Sequence, residues 1–295
     1  MDAPPATTLL IRTEPGDARL TRAVAGIDHT GSPAEGRVPE ERALSIYLNG
    51  QEIVTAMTIG DHPEHLAVGF LLNQGMLARE DRITAVDFDS ELMVVVVRTG
   101  APTNYEHKLR KRTQTSGCAQ GTSFGDLMEK LEGVTLPPTP VRTSALYRLL
   151  HTVNTMPSIY LEAGAIHGCV LAEGATPLAY FEDVGRHNAV DKLAGWMWRA
   201  AIPAGDKLLY TTGRLTSEMV IKTVRMGIPT LVSRSGFTAW GVDLARQAGL
   251  TLIGRARGRR FLAVSGAGRI VFDADPSYVA DESAAHRRKA AGPDD

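Results

Sequence analysis

The chain has almost no cysteine. Two in 295 residues, Cys118 and Cys169, cannot make a disulfide framework or a Cys-rich zinc module, and this poverty fits a reducing cytoplasm. No single sign of charge dominates either: 32 Lys plus Arg stand against 33 Asp plus Glu. Without a global field, nucleic acid and membrane surfaces are not the expected partners, and any anion site has to be a local cluster. Long apolar runs are missing as well. None approaches the ~18 residues of a spanning helix, and no apolar core follows a basic segment at the start, so a soluble, unexported protein is expected.

A chain of this length exceeds the ~100–200 residues usual for one domain. Residues 1–40, rich in Pro, Gly, Ala and Asp, read as a flexible N-terminal arm. Residues 41–135 read as an α+β unit. Leu44, Ile46 and Leu48 alternate, Asn49-Gly50 gives a strong hairpin signal, and an extended pattern resumes over 53–59. Asp61 then offers a helix cap before Pro63, with Leu66, Phe70 and Leu71 on one side. His62 and His65 near that start read as surface residues. Strands over 83–88 and 93–97 and a short helix over 123–131 complete the unit, and residues 136–140, Leu-Pro-Pro-Thr-Pro, read as a stiff linker. Residues 141–275 alternate strand and helix, which predicts a layered α/β sheet covered on both faces. A hairpin from 261–264 and 269–272 is expected to close it, and residues 276–295 to be a disordered tail.

Chemistry concentrates in two places. The first is Cys118, near Gly117 and Gly121 and downstream of His107, Lys108, Arg110, Lys111 and Arg112. Glycine lets such a thiol be presented to a large partner, and a folded-back basic run would favour the thiolate; a solvated loop with a small buried hydrophobe is the alternative. The second place is a set of strand ends, where layered sheets bind ligands. Asp183, Arg186, His187 and Asn188 cluster around a turn glycine. Thr212, Gly213 and Arg214 offer a hydroxyl, backbone amides and a guanidinium at a helix start, an anion cradle. Ser233 and Arg234 repeat the theme. Arg255, Ala256, Arg257, Gly258, Arg259 and Arg260 put four guanidiniums in six residues after the last core strand. Any one of these alone reads equally as a capping turn or a solvated charge run.

Taken together, Asp183 to Ala189, Thr-Gly-Arg with Ser-Glu-Met-Val ending at Val220, Gly227-Ile-Pro, and Val242-Asp-Leu-Ala245 through Gly254 resemble the formate dehydrogenase accessory sulfurtransferases, the FdhD proteins. The resemblance implies a cytidine-deaminase-like α/β core, a homodimer and a cytoplasmic location. It also implies an activity: sulfur is taken from a cysteine desulfurase as a persulfide and passed to the molybdenum cofactor in its bis(molybdopterin guanine dinucleotide) form, for formate dehydrogenase. Cys118 matches the persulfide-forming cysteine, and residues 255–260 match the cofactor-binding segment; GDP is then expected to bind as a fragment. Many members carry Cys-x-x-Cys where this chain has Gly121, so an internal resolving disulfide is not available, whereas a single thiolate still suffices for a carrier.

The implied fold raises a zinc deaminase as a rival. Such enzymes need His-x-Glu and Pro-Cys-x-x-Cys; His167-Gly168-Cys169 has no Glu, and no Cys-x-x-Cys exists. No zinc and no other metal is therefore expected, and His167 and Cys169 read as core groups or as neighbours of the transferred sulfur. A non-covalent chaperone that binds the guanine-dinucleotide cofactor is the second alternative, and it should tolerate serine at position 118.

Overall fold

The computed structural model describes residues 9–78, 80–100 and 134–277. In chain order, β1 (Ile11–Arg12), β2 (Thr21–Ile27), β3 (Pro33–Pro39), β4 (Arg42–Leu48) and β5 (Gln51–Thr58) precede α1 (Pro63–Asn73), and β6 (Ile83–Asp89) and β7 (Val94–Thr99) follow it. Next come β8 (Val141–Arg142), α2 (Thr143–Thr155), α3 (Ile159–Ala163), β9 (His167–Glu173), β10 (Thr176–Asp183) and α4 (Arg186–Arg199). The chain continues through β11 (Lys207–Thr211), α5 (Ser217–Met226), β12 (Thr230–Ser233), α6 (Ala239–Gln247), β13 (Thr251–Arg257), β14 (Arg260–Ser265) and β15 (Ile270–Val271).

The N-terminal sheet has the order β5-β4-β7-β6. Leu44, Ile46 and Leu48 are all fully buried with α1 residues Leu66 and Leu71, as the period-two alternation requires. Asn49 turns the hairpin in the left-handed region, at φ 55. The residue before α1 is not the expected cap. His62, at φ 46, occupies that position without a side-chain cap, because the Asp61 carboxylate is taken by Lys192 and by the Thr13 hydroxyl, which donates to it at 2.6 Å.

The stretch expected to be an arm is built into the fold from residue 9 onward. β1 adds to β10 in parallel, and Thr13 N–H donates to the Tyr180 carbonyl at 2.9 Å, so a few apolar residues suffice once a sheet edge supplies the partners. β2 and β3 form an antiparallel ribbon whose connecting turn is tied by Asp28 Oδ1, the acceptor from Thr30 and Ser32 N–H at 2.8 and 3.0 Å.

The large sheet runs β1-β10-β9-β11-β12-β13-β14. One face carries Cys169, Leu171, Leu209, Leu231 and Leu252 into a core with α4, α5 and α6. The other carries Val170, Ala172, Tyr210, Val232 and Ile253 against Leu146, Leu149 and Leu150 of α2. This is the two-faced α/β arrangement that the alternation of elements predicts. The closing hairpin differs from expectation: β14 folds back antiparallel on β13, and β15 pairs in parallel with β8. Gly258 at φ 55 makes the first reversal, and Gly266 at φ 66 diverts the chain before β15. The helix expected over 123–131 lies outside the described residues, as does the tail from 278.

Two glycines join the units. A Cβ on Gly69 of α1 would collide with the Asp191 carbonyl, and one on Gly195 of α4 with the His65 carbonyl. The two helix backbones therefore touch directly, which only glycine permits. Beside them Lys222 Nζ meets Asp191 Oδ2 at 2.6 Å, and Asn73 donates to Asp191 Oδ1 at 2.7 Å. Residues 136–140 are irregular, as expected of a linker, but they are anchored: Leu136 is buried, and the Thr139 hydroxyl donates to the Gly205 carbonyl at 2.7 Å.

Candidate functional site at the sheet edge

β11, β12 and β13 are parallel, and β10 shares their direction because β9 runs antiparallel to both β10 and β11. All four carboxyl ends therefore open on one edge, where β9 also begins with His167 opposite Asp183. Each of the sequence motifs 183–188, 212–214, 233–234 and 255–260 lies there. Within each motif, however, the structure separates groups that hold the edge together from groups that face outward.

Asp183 is fully buried, and its carboxylate is already engaged. Lys192 Nζ sits 2.6 Å from Oδ2, and the Thr58 hydroxyl donates to the same oxygen at 2.5 Å. Asn188 Nδ2 bridges Asp183 Oδ1 at 3.0 Å and the Met57 carbonyl at 2.7 Å. Asp183 and Asn188, expected among the ligand-binding residues, thus fix the turn and tie it to the N-terminal sheet. Burial works against the Lys192 charge, yet Asp183 and Asp61 hold its pKa above the ordinary value.

That turn presents Arg186 and His187. The Arg186 side chain lies so close over Gly213 that a Cβ there would come 2.9 Å from its Cδ. Glycine at 213 is thus a requirement of packing. His187 Nε2 lies 3.2 Å from Glu218 Oε2, so the starts of α4 and α5 meet. Burial, followed by Lys222 and Arg186, pushes His187 well below its ordinary pKa. His167 is lowered by burial and then by Arg186 and Arg214. Two neutral imidazoles therefore sit among fixed cations, and the positive charge of this part of the edge resides on arginine.

The other hydroxyls serve the turns. Thr212 Oγ1 accepts from Gly168 N–H at 3.0 Å and lies 3.4 Å from His167 Nδ1. Ser233, buried, donates to the Gly213 carbonyl at 2.6 Å and accepts from Ser235 N–H at 2.9 Å; this expected ligand residue is a brace between two strand ends. Arg214 is exposed. Arg234 stacks over Tyr160, 5.4 Å from the ring centroid, a cation–π contact. Tyr160 is itself held by Glu182, whose two carboxylate oxygens accept from Ile159 and Tyr160 N–H, both at 2.8 Å.

The 255–260 cluster is a hairpin turn, not a turn into a helix. Arg255 adopts φ 55 and donates its N–H to the Ser235 carbonyl at 2.7 Å, while Ala256 is buried in the core. Arg257 and Arg260 pair across Gly258 and are exposed with Arg255. Arg259 instead lies over Tyr147, 5.5 Å from the ring centroid, and donates to the Asp275 carbonyl at 2.5 Å. The outward guanidiniums suit bidentate contact with phosphate oxygens.

Cys118 and its basic run lie outside the described residues. Cys169 is a core thiol, fully buried, donating to Thr211 Oγ1 at 3.4 Å; burial pushes its pKa up to about 12. His167-Gly168-Cys169 opens strand β9 and does not lie at a strand-to-helix turn. Among the described residues, no three His, Cys, Asp or Glu side chains group to hold a metal ion. His62 and His65, expected at the surface, are partly buried and pack their rings against Phe181, at 5.1 and 6.2 Å between centroids. Among the same residues no helix is long and apolar enough to cross a membrane.

Neither Lys192 nor Tyr160 stands out in the sequence. One signal was available: Lys192 falls among Ala189, Val190 and Leu193 on the apolar face of α4, where a lysine requires a carboxylate partner.

The profile of the FdhD/NarQ family matches residues 39–271. The chain belongs to the FdhD/NarQ family. The protein named sulfur carrier protein FdhD from Wolinella succinogenes is 30% identical over 241 residues, covering 80% of this chain and 83% of its own length. The protein of the same name from Listeria innocua is 30% identical over 243 residues, covering 80% and 92%. Among solved structures, a protein described as a formate dehydrogenase accessory protein from Desulfotalea psychrophila superposes with a TM-score of 0.69 at 27% identity. That match covers 85% of this chain and 99% of the other. In this FdhD/NarQ member the matched range contains Cys118 and all four strand-end motifs, whereas the β2–β3 ribbon falls almost entirely before it.

Proposed function

We propose that this chain is a sulfur carrier for formate dehydrogenase, and that it holds the molybdenum cofactor at the sheet edge while sulfur is delivered. The observation that carries the reading is the gathering of Arg186, Arg214, Arg234, Arg257 and Arg260 at the carboxyl ends of parallel strands, in a chain whose relatives are named sulfur carriers.

Cys118 is the carrier thiol. Its thiolate attacks the terminal sulfur of a persulfide on a cysteine desulfurase; one S–S bond forms, the donor's S–S bond breaks, and the donor cysteine leaves as thiolate, so no outside oxidant is needed. An electron pair of the acceptor then forms the new bond to the outer sulfur, the Cys118 S–S bond breaks, and the Cys118 thiolate is restored. With Gly121 in place of a second thiol, the persulfide cannot be resolved internally. Cys169 cannot substitute, because it is sealed in the core and its pKa is far above that of a reactive thiol.

The acceptor, bis(molybdopterin guanine dinucleotide), carries diphosphates, and the edge offers what they need: exposed guanidiniums just past β11, on Arg214, and on β13, on Arg255 and Arg257. The neutral, half-buried His167 adds a hydrogen-bonding group without adding charge. GDP is the smallest fragment that tests this fit. An order of β10-β9-β11-β12-β13, with helices on both faces, supports a cytidine-deaminase-like core, here without a metal-binding constellation among the described residues. A cytoplasmic location, a homodimer, and a cysteine desulfurase and formate dehydrogenase as partners complete the reading.

The test is mass spectrometry after incubation with a desulfurase and cysteine. A gain of one sulfur on Cys118 is expected. Cys118→Ser should lose it and fail to activate formate dehydrogenase while still binding GDP; Cys169→Ser should keep both. A fully active Cys118→Ser protein would instead identify a non-covalent chaperone.

A further inference from the structure

The parallel strands have a second end, away from the candidate site. β13 runs from Thr251 to Arg257, so its start lies roughly 20 Å from the arginine hairpin, at ~3.3 Å per residue. At that start an open groove of about 380 Å³ is lined by Arg246, Gly249, Val264, Gly266, Ala267 and Arg269. Its volume falls within the range of ligand clefts.

Three local departures from regular structure make the groove. Gly249 and Gly266 both take φ 66, in the left-handed region that glycine enters freely. Gly266 approaches β13 so closely that a Cβ would come 2.6 Å from Thr251 Oγ1. Val264 is an extra residue in β14, because Leu252 pairs with Ser265 while the next residue, Ile253, pairs with Ala263. Such a bulge leaves the extra residue outside the regular ladder, and the Val264 carbonyl accepts from Arg246 Nε at 3.1 Å. Arg269 reaches the same place from the turn after β14: its Nη1 donates to the Gly249 carbonyl and lies 3.3 Å from Thr251 Oγ1. Each guanidinium is thus pinned through one nitrogen. Among the described residues neither has a carboxylate within 4 Å, and Asp243, three residues before Arg246, is exposed.

The end of α6 explains part of this arrangement. Arg246 belongs to its last turn, Arg269 binds a carbonyl just past it, and cations stabilise a helix carboxyl end. That end carries only about half a negative charge, so two guanidiniums leave roughly 1.5 positive charges unmatched. Like charges held on fixed anchors repel, and an anion between them relieves the repulsion.

We infer that this groove is an anion site of its own, selective for a phosphate group, free or as the monoester of a small molecule. A carboxylate satisfies one guanidinium fork with both its oxygens, whereas a tetrahedral dianion has oxygens for two forks and offsets both charges. The inference is independent of the cofactor-edge reading, which concerns the opposite end of the strands.

Calorimetry on the full chain at about pH 8, where phosphate is dianionic, tests it, with inorganic phosphate, glycerol 3-phosphate, acetate and GDP as probes. Arg246→Ala should weaken phosphate roughly ten-fold or more, the effect of losing a charged hydrogen bond, and leave GDP unchanged. Arg257→Ala, at the opposite edge, should leave this phosphate site in place. Ala267→Glu sets a carboxylate at the exposed rim without touching either anchor, and should also remove phosphate. Acetate should bind far more weakly. Tighter binding of glycerol 3-phosphate than of inorganic phosphate would assign the rest of the groove to the organic part, and equal affinity would assign the site to the free ion. The inference is overturned if the unsubstituted protein binds no phosphate. It is overturned equally if phosphate is lost in Arg257→Ala and kept in Arg246→Ala, which would leave the cofactor edge as the anion site. Acetate bound as tightly as phosphate would remove the selectivity. Loss of phosphate in Arg246→Ala with a lowered denaturation midpoint, together with its retention in Ala267→Glu, would show that Arg246 only supports the bulge.

Discussion

Two groups of charged residues meet at one end of the large sheet and do opposite work. In the interior, Lys192 and Asp183 are wholly shielded from solvent, and with Asp61, Thr58 and Thr13 they join the N-terminal sheet to the turn at the end of β10. On the edge, Arg214, Arg255, Arg257 and Arg260 are exposed. A buried charge must have its partners within the protein, so the interior group is complete and closed to ligands. The exposed guanidiniums keep most of their donors for an incoming anion. Charged residues in one motif therefore have to be sorted by burial before any is assigned to a ligand.

The largest effect should come from breaking the interior group. Lys192→Ala leaves Asp183 and Asp61 facing each other without a cation, and removal of one member of a buried ion pair costs about 3–5 kcal/mol. Chemical denaturation should show that loss, and nucleotide affinity should fall with it if the turn carrying Arg186 loosens. A variant as stable as the parent would mean that water reaches the pair and that the network is not closed.

The edge should respond the other way. Arg257→Ala and Arg214→Ala are expected to weaken GDP by roughly 1.5–3 kcal/mol, the loss of a charged hydrogen bond, and to leave the denaturation midpoint nearly unmoved. The attraction should also fall as salt rises, since exposed charges are screened. Calorimetry at two ionic strengths measures both. If either substitution shifted stability more than affinity, that arginine would have to be moved to the interior group.

The contrast also marks how far the sequence could be read. Alternation in β4, the short apolar runs of β9 and β11 and the apolar faces of α2, α4 and α5 were legible because they depend on local pattern alone. The four strand-end motifs were legible as a group because glycine, hydroxyl and arginine recur where strands stop. Which members face outward was not. Asp183, Asn188 and Ser233 look like ligand residues, and they become braces only because Thr58, Met57 and Gly213 arrive from elsewhere in the chain. For the same reason β1 was hidden: Ile11 and Arg12 form a strand only against Ala179 and Tyr180. His62 replaced Asp61 as the residue before α1 because Lys192, far along the chain, claimed the aspartate.

The smallest expected effect is a pH dependence on the interior side of the comparison. His65 of α1 is partly buried, with its ring steeply inclined to that of Phe181 and its Nδ1 3.4 Å from an Arg199 nitrogen. Burial first, then Arg199 and His62, lower its pKa to about 4, against an ordinary value of ~6.5 in the unfolded chain. A depressed histidine favours the folded state while it is neutral. Its contribution is therefore complete above about pH 6.5 and is lost as the pH falls toward 4. Because solvent still reaches part of the ring, the full shift overstates the energy, and about 1–2 kcal/mol is expected across that window after discounting for screening. His65→Phe keeps an apolar ring beside Phe181 and removes the titration. Its stability should match the parent near pH 7 and fall less steeply down to pH 4.5. His167 and His187, also lowered by burial, act with the same sign, so the slope should shrink without vanishing. Asp17 and Asp273, held near 2, lose their contribution only at lower pH, whereas Glu182 and Asp191, raised by burial, act with the opposite sign to the histidines. An unchanged slope in His65→Phe would show that Arg199 moves away and lets the imidazole charge in place.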